Sequence, residues 1–475
     1  MSHGLHRAVF WRRRLAGTSA LLLCLAACEV GPDYRKPDVA TPVAYKETTD
    51  WKIAEPQQAG SNQAWWSVYN DPVLNDLEKQ VAISNESVKS SEAAYRQAVA
   101  LVGEARANFF PTLTLNTSLQ QTHQQLKTTT QYAGSVGASW EIDIWGKIRR
   151  EVESAKAGAE VSAADLAAAK LSLQAELATD YFQLRTEDEL ARLLNATVDA
   201  FTRSLQIVQN RYDVGVAAKT DVASAQAQLE STRAQAINVG VLRSQLEHAI
   251  AVLIGKPPAD FAVAPAPSVA SVVPLTPPGL PSALLERRPD IAAAERQMAE
   301  ANAQIGVAIA AYFPTISLSG SYGFASTVLS TLFTPDSLVW AVGPSLAETL
   351  FDGGLRGAQV EAAKASFDQT VALYRQTVLT AFQQVEDQLA ALRILAEQAA
   401  VQDGAVKAAE EAERLTLNQY EAGTVDYTSV ITAQANALAS RQTALNILQN
   451  RVTASVALIS ALGGGWDASQ LPSAP

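Results

Sequence analysis

The sequence predicts a membrane α+β protein made of two tandem repeats, in which short amphipathic β-hairpins close a barrel between subunits and long helices continue it as a tube. Three observations predict this. Two proline-free stretches, Gly146 to Gly215 and Gly353 to Gly423, each read as one unbroken helix. At 1.5 Å per residue each spans about 100 Å, more than a compact domain holds. Period-two segments of apolar and polar residues precede both long stretches. The whole pattern also occurs twice. An offset of 208 (418 − 210) pairs Asn210 with Asn418, Tyr212 with Tyr420, Gly215 with Gly423, Thr220 with Thr428 and Leu184-Arg185 with Leu392-Arg393. The Phe-Pro-Thr junctions pair at 203 (314 − 111), so the hairpin loops differ in length. A repeat this long is a duplicated architectural unit rather than a solenoid period.

The first residues read as an export signal. Arg7, Arg12, Arg13 and Arg14 form a basic region and Leu15 to Ala27 an apolar one, too short to span a bilayer. Leu25-Ala26-Ala27-Cys28 is similar to the lipobox of bacterial lipoproteins. That resemblance implies cleavage before Cys28, a diacylglyceryl thioether on its sulfur and acylation of its amine. Each buried CH2 then contributes about 0.8 kcal/mol of anchoring. Glu29, in place of an aspartate, favours the outer membrane. Removal of residues 1–27 takes four arginines and no acids, so the net charge of −11 becomes −15 (−11 − 4). A chain this acidic argues against nucleic acid as a partner. After Cys28 no apolar run is long enough for a transmembrane helix, so any crossing is by β-strands.

Taken in order, residues 28–72 read as an extended lipidated tether punctuated by Pro32, Pro37, Pro42, Pro56 and Pro72 and leading to Trp65-Trp66. The first repeat, 73–255, opens with a helix from Val73 to Asn108 that Phe109-Phe110-Pro111 stops. A strand follows with Leu113, Leu115 and Leu119 on one face, then a polar loop from about Gln121 to Gln131. The next strand sets Val136, Ala138, Trp140, Ile142 and Ile144 against Ser135, Gly137, Ser139, Glu141 and Asp143, the alternation of a lipid-facing barrel strand. Trp140 and Trp145, with Trp340 in the second repeat, suit aromatic girdles at the membrane interface. After the long helix, Gly215 is placed to take the left-handed conformation, and Thr220 is the expected N-cap of a return helix from Asp221 to about Ile254. Residues 256–281 carry eight prolines and form a linker. The second repeat, 282–462, runs as a helix to Tyr312, strands around Ile316, Leu318, Tyr322, Phe324 and around Trp340, Val342, Leu346, the second long helix, and a return helix from about Thr428. Residues 463–475 are a short Gly-rich tail. In the long helix Phe367, Val371, Tyr374, Val378, Phe382, Val385, Leu389 and Leu392 form a seam stepping in threes and fours.

Four strands do not close a barrel, since the smallest closed membrane barrels have about eight. Open edges in lipid would leave backbone groups unpaired at several kcal/mol each, so the chain must oligomerise. Two subunits would supply eight strands and three would supply twelve. The residues themselves do not choose between the two.

Two stretches carry a family resemblance: Cys28-Glu29-Val30-Gly31-Pro32-Asp33-Tyr34-Arg35-Lys36-Pro37, and Leu280 to Glu295, which has the form LPSxLLERRPDIxxAE. The chain resembles TolC-like outer-membrane efflux proteins of the OprM/NodT lipoprotein branch over nearly its whole mature length. The resemblance implies a homotrimer with a 12-stranded barrel over a periplasmic α-helical barrel. It implies a passive gated exit duct for drugs or other small toxic compounds, partnered by a periplasmic adaptor protein and an inner-membrane transporter of the RND type. It places docking and closure at the turns holding Tyr212, Gly215, Tyr420 and Gly423. In related channels inner-helix aspartates ring the lumen; those positions fall here on Ser429 and Thr432, a departure that leaves Thr428 and Thr432 as a neutral constriction with Asp221 or Asp426 beside it. The same residues also suit plain helix capping, and Tyr212 and Tyr420 suit plain packing.

Nothing in the sequence points to an enzyme or a cofactor. His3 and His6 leave with the signal, His123 is in a loop, His248 stands alone on a helix, and no nucleophile triad, phosphate loop or metal-spaced cluster occurs. Competing readings are the outer-membrane duct of a protein-secretion system, a structural periplasmic coiled-coil lipoprotein without a pore, and a general diffusion porin, for which the long helices would have no use.

Overall fold

A computed structural model describes residues 29–47, 64–124, 127–266 and 281–472. The signal segment and Cys28 lie outside the described residues. Two helices dominate: α3, Lys147–Asp213, and α6, Leu355–Glu421, each of 67 residues. Each turns at a glycine into a 35-residue return helix, α4, Lys219–Leu253, and α7, Tyr427–Ala461. All four start and stop at the offset of 208 that relates the repeats. The remaining helices are α1, Pro72–Ser84, α2, Glu86–Ala107, and α5, Pro289–Ala310. In the upper half α3 lies between α2 and α5, with α6 beyond α5; in the lower half α3 lies between α4 and α7, with α6 beyond α7. The protomer is therefore an open arc of four helices at each level. The seam on α6 is buried as its spacing implies, with Tyr374, Val378, Val385 and Leu389 fully enclosed against α5 and α7.

The helices expected to run unbroken into each hairpin are interrupted. Asn85 separates α1 from α2, and Arg288 separates a single turn, Leu284–Arg287, from α5. Both breaks serve one purpose. Asn85 Oδ1 caps α2 by accepting from the backbone of Ser87 and Val88, while its Nδ2 donates 2.8 Å to the carbonyl of Leu253, the last residue of α4. Arg288 Nη1 donates 3.0 Å to the carbonyl of Ala461, the last residue of α7, and 2.8 Å to Gln384 of α6. Each return helix thus abuts a hairpin helix end to end, and a side chain at the break supplies a donor for a free C-terminal carbonyl. The hydrophobic pattern continues across both breaks, which is why period alone does not reveal them.

The strands are longer than their apolar stretches. β1, Thr112–Gln124, and β2, Lys127–Glu141, consume most of the expected polar loop. With β3, Thr315–Ser326, and β4, Leu338–Ala347, they form one antiparallel sheet in the order β1-β2-β3-β4. The register places the apolar residues of all four strands on one face: Leu115 opposite Val136, Val136 opposite Tyr322, and Tyr322 opposite Trp340. The other face carries Thr114, Asn116, Gly137, Ser139, Ser319 and Ser321. β1 and β4 are unpaired edges.

The N-terminal segment is not a free leash. Residues 29–47 are docked along the helices. Val30 N donates to the Trp145 carbonyl at 3.1 Å. Arg150, almost fully buried, meets the carboxylates of Glu29, Asp33 and Glu153 at 3.2, 3.0 and 2.6 Å. Gly31, at φ 101°, lies so close to α5 that an added Cβ would stand 2.5 Å from Gly306 Cα. Further along, the Glu386 carboxylate accepts from the backbone of Lys46 and Glu47, and Glu47 pairs with Arg393. At the repeat-equivalent position Arg185 holds the inter-repeat linker through the Ala264 carbonyl and pairs with the buried Asp188. The conserved spacing of Leu-Arg between repeats therefore marks two equivalent anchors for extended chain.

α1 buries Glu78 at 0% exposure with neither carboxylate oxygen partnered among the described residues. Burial alone pushes its pKa from 4.5 up to about 9. The folded protein therefore holds a proton between those values that the unfolded chain has lost, so stability is fullest below about 4.5 and declines as the pH rises toward about 9. Glu78→Gln should flatten the fall of the midpoint of thermal unfolding between pH 5 and pH 9, followed by helical circular dichroism. A second expected outcome is that Gly306→Val strips residues 29–35 from α5, seen as faster proteolysis of that segment with the helices intact.

Candidate functional site

The site has two parts, the sheet and the tip of the helical hairpins. On the sheet, Leu113, Leu115, Leu119, Tyr322, Val342, Leu346 and Trp340 leave one apolar face open, with Trp340 at 69% exposure. A contiguous apolar face of this kind is stable against lipid and not against water. The three tryptophans sit at two levels. Trp140 donates its indole N–H 2.9 Å to the Phe109 carbonyl, and Trp145 donates 2.8 Å to the Pro314 carbonyl while stacking on Phe313 at 4.8 Å. These two tie each strand-to-helix junction to a Phe-Pro stop. Trp340 lies on β4 seven residues (347 − 340) from its helix-side end at Ala347, about 23 Å along the strand.

At the tip, Gly215 and Gly423 take φ of 81° and 79°, the left-handed turn expected of them. The repeats diverge around them. Tyr420 is buried at 4% exposure, whereas Tyr212 is 39% exposed. Tyr420 packs on Tyr427 at 5.1 Å, and the Tyr427 hydroxyl lies 3.1 Å from Ser204 Oγ. Burial raises the pKa of both phenols, and Asp221 adds to the rise in each. Arg211 completes the arrangement: its guanidinium covers the Tyr420 ring at 4.8 Å and donates 2.9 Å to the Glu421 carbonyl, joining the first hairpin to the second. Sequence reading missed Arg211. Its one visible signal is the exchange of arginine for Gln419 at the offset of 208. The Tyr420 hydroxyl and Arg211 Nε are both buried without a partner among the described residues.

The candidate gate residues occupy the first turns of α4 and α7. Thr220, the N-cap that its residue type suggests, instead sits inside the first turn of α4. The cap is Ala218, whose backbone N–H donates 3.3 Å to the Asp221 carboxylate. In the second repeat the acid itself is the cap: Asp426 accepts from Ser429 N at 2.9 Å and from Ser429 Oγ at 2.7 Å, which holds its pKa below the usual carboxylate range. The acid has moved between N-cap and third position from one repeat to the other, because either place satisfies a free donor of the first turn. Thr428, Ser429 and Thr432 are exposed on one face of α7, opposite buried Tyr427, Val430 and Gln434. Thr432 Oγ1 bonds the Thr428 carbonyl at 2.9 Å. Among the described residues no cluster of ligating side chains fits a metal ion.

The family description "Outer membrane efflux protein" matches residues 77–256 and 280–464. The chain belongs to that family. Relatives agree over full length. A probable efflux pump outer membrane protein, TtgC of Pseudomonas putida, is 29% identical over 469 residues, 96% of each chain. The outer membrane protein OprJ of Pseudomonas aeruginosa is 30% identical over 471 residues, 96% of this chain and 97% of OprJ. Among solved structures, the outer-membrane channel OprN superposes with a TM-score of 0.86 at 31% identity, covering 92% of this chain and all of that one. The open-state MtrE channel of Neisseria gonorrhoeae superposes at 0.82 and 29% identity, covering 93% and 99%. The fold is that of the trimeric TolC-like channels, in which the four-stranded sheets of three chains close one 12-stranded barrel over a helical barrel. This efflux protein is accordingly an outer-membrane channel component of an efflux pump.

Removing the Asp426 carboxylate leaves the Ser429 amide and hydroxyl without their acceptor. Asp426→Ala should speed amide hydrogen exchange over residues 427–430, and Asp221→Ala should do so at the start of α4. The rest of both helices should keep its protection.

Proposed function

We propose that this outer-membrane efflux protein is the passive, gated exit duct of a tripartite pump. A periplasmic adaptor and an inner-membrane transporter of the RND type would meet the Gly215 and Gly423 turns and supply the energy. The cargo is drugs or other small toxic compounds, the class of compound that the names of relatives such as "Toluene efflux pump outer membrane protein TtgC" point to. In this reading residues 28–72 are the lipidated anchor segment, 73–255 and 282–462 the two repeats of the duct, 256–281 the linker and 463–475 the tail. The single observation that carries the reading is the sheet: one face predominantly apolar, the other predominantly polar, and both edges open at the top of a helical arc. A secretion duct or a poreless rod has less support, because the relatives described above include an efflux pump component and two outer-membrane channels, and a rod has no use for such a sheet.

The anchor is Cys28. Glu29 follows it and packs on Gly146, where an added Cβ would lie 2.8 Å from Glu29 Cγ. Acyl chains on Cys28 would therefore enter the leaflet beside the β2-to-α3 junction, near Trp145. Closure at the tip is assigned to the Arg211–Tyr420 contact between hairpins and to the exposed Thr428, Ser429 and Thr432 face, with Asp221 and Asp426 holding the helix starts.

Deleting the gene should sensitise cells to a subset of antibiotics, dyes, solvents or metals; an unchanged profile across all of them would remove the efflux reading. Cys28→Ala should abolish incorporation of radioactive fatty acid. In planar bilayers Arg211→Ala should raise single-channel conductance and Thr432→Asp should introduce block by divalent cations. Wild-type behaviour in both variants would dismiss the gate.

A further inference from the structure

We propose that a pocket between α2, α3 and the C-terminal tail binds an amphiphilic carboxylate, one per protomer. The cavity is about 410 Å³, within the range of small-molecule sites. Its walls are apolar and aromatic: Trp66, Tyr95 and Trp466 stand around a floor that includes Leu171. The tail is seated tightly enough to act as a wall, since a Cβ added to Gly464 would stand 2.3 Å from Leu171 Cδ1. The pocket belongs neither to the sheet nor to the tip, and the conduit does not use it.

Two polar groups converge on this space. Lys170 and Gln174 lie one turn apart on α3, so they share a face. Gln174 is 9% exposed, and it lines the cavity beside Lys170. Lys170 is half-buried and has no ion pair among the described residues. No acidic side chain lines the pocket. The cavity is thus lined by one cation and no acid in a chain whose net charge is −11. An anion placed there accepts from Lys170 Nζ and Gln174 Nε2, and its apolar body covers the indole and phenol rings. One ammonium and one amide balance a single charge, which favours a carboxylate over a dianionic phosphate that would leave a charge desolvated.

The test uses the purified full-length trimer in the uncharged detergent dodecyl maltoside, with naphthalene-2-carboxylate as probe and equilibrium dialysis as readout. The expected result is one saturable site per protomer. Lys170→Met should weaken binding about tenfold or more, the usual scale for losing a charge-assisted contact, and Gln174→Leu should weaken it less. Naphthalene-2-methanol, the same body without charge, should bind wild type no better than the carboxylate binds Lys170→Met. Both variants are checked for trimer on native gels and for wild-type conductance, so that lost binding is not lost fold. Absence of saturable binding overturns the proposal, as it would if a neighbouring subunit covered the pocket. Equal affinity of wild type and Lys170→Met also overturns it.

Discussion

Backbone polar groups in hydrocarbon have no water to turn to, and that governs the rest of this molecule. A four-stranded sheet with an apolar outer face satisfies its interior ladders but leaves the outer edges of β1 and β4 bare. Only copies of the same sheet can complete both edges at once, and three do so in this fold. The helical arc below inherits the requirement. Its margins, α2 above and α4 below on one side and α6 on the other, include exposed Ile237, Val241, Leu373, Leu379 and Val401, apolar side chains that make sense against a neighbouring arc.

Duplication sets the geometry by which the arc is built. The long and return helices of the two repeats agree at an offset of 208 and the hairpin helices α2 and α5 at 203 (289 − 86), and both repeats solve the same mechanical problem: a return helix must stop beneath a hairpin helix without wasting its final carbonyls. Asn85 and Arg288 solve it with different chemistry, a short amide in one repeat and a guanidinium reaching two elements in the other. The divergence at the tip follows the same logic. Arg211 has no arginine counterpart, so its bridge is not mirrored in the second repeat, and one tyrosine of the repeat pair is buried beneath it while the other stays exposed.

The docked N-terminal segment and the inter-repeat linker are the third layer. Arg393 and Arg185, equivalent by the repeat, each hold a stretch of extended chain that precedes one repeat against the helices of the other. This exchange couples the two halves of the protomer by charge-assisted contacts in partly buried surroundings, where they weigh more than on an open surface.

Helix lengths, the glycine turns, the amphipathic faces of the strands and the duplication were legible in the residues, because period, proline spacing and glycine placement are local properties. So was the family, since Leu280 to Glu295 carries its signature in a short run. The breaks at Asn85 and Arg288 were not legible: each is imposed by a carbonyl more than 160 residues away, 168 for Asn85 and 173 for Arg288. Nor was the role of Arg211, whose aromatic partner arrives from the other hairpin, nor the true N-cap at Ala218, where Asp221 reaches back in place of the more obvious Thr220. The sequence by itself determined which elements form and which faces they bury. The tertiary structure alone decided which polar group answers which, because hydrogen bonds between distant segments depend on where packing brings them.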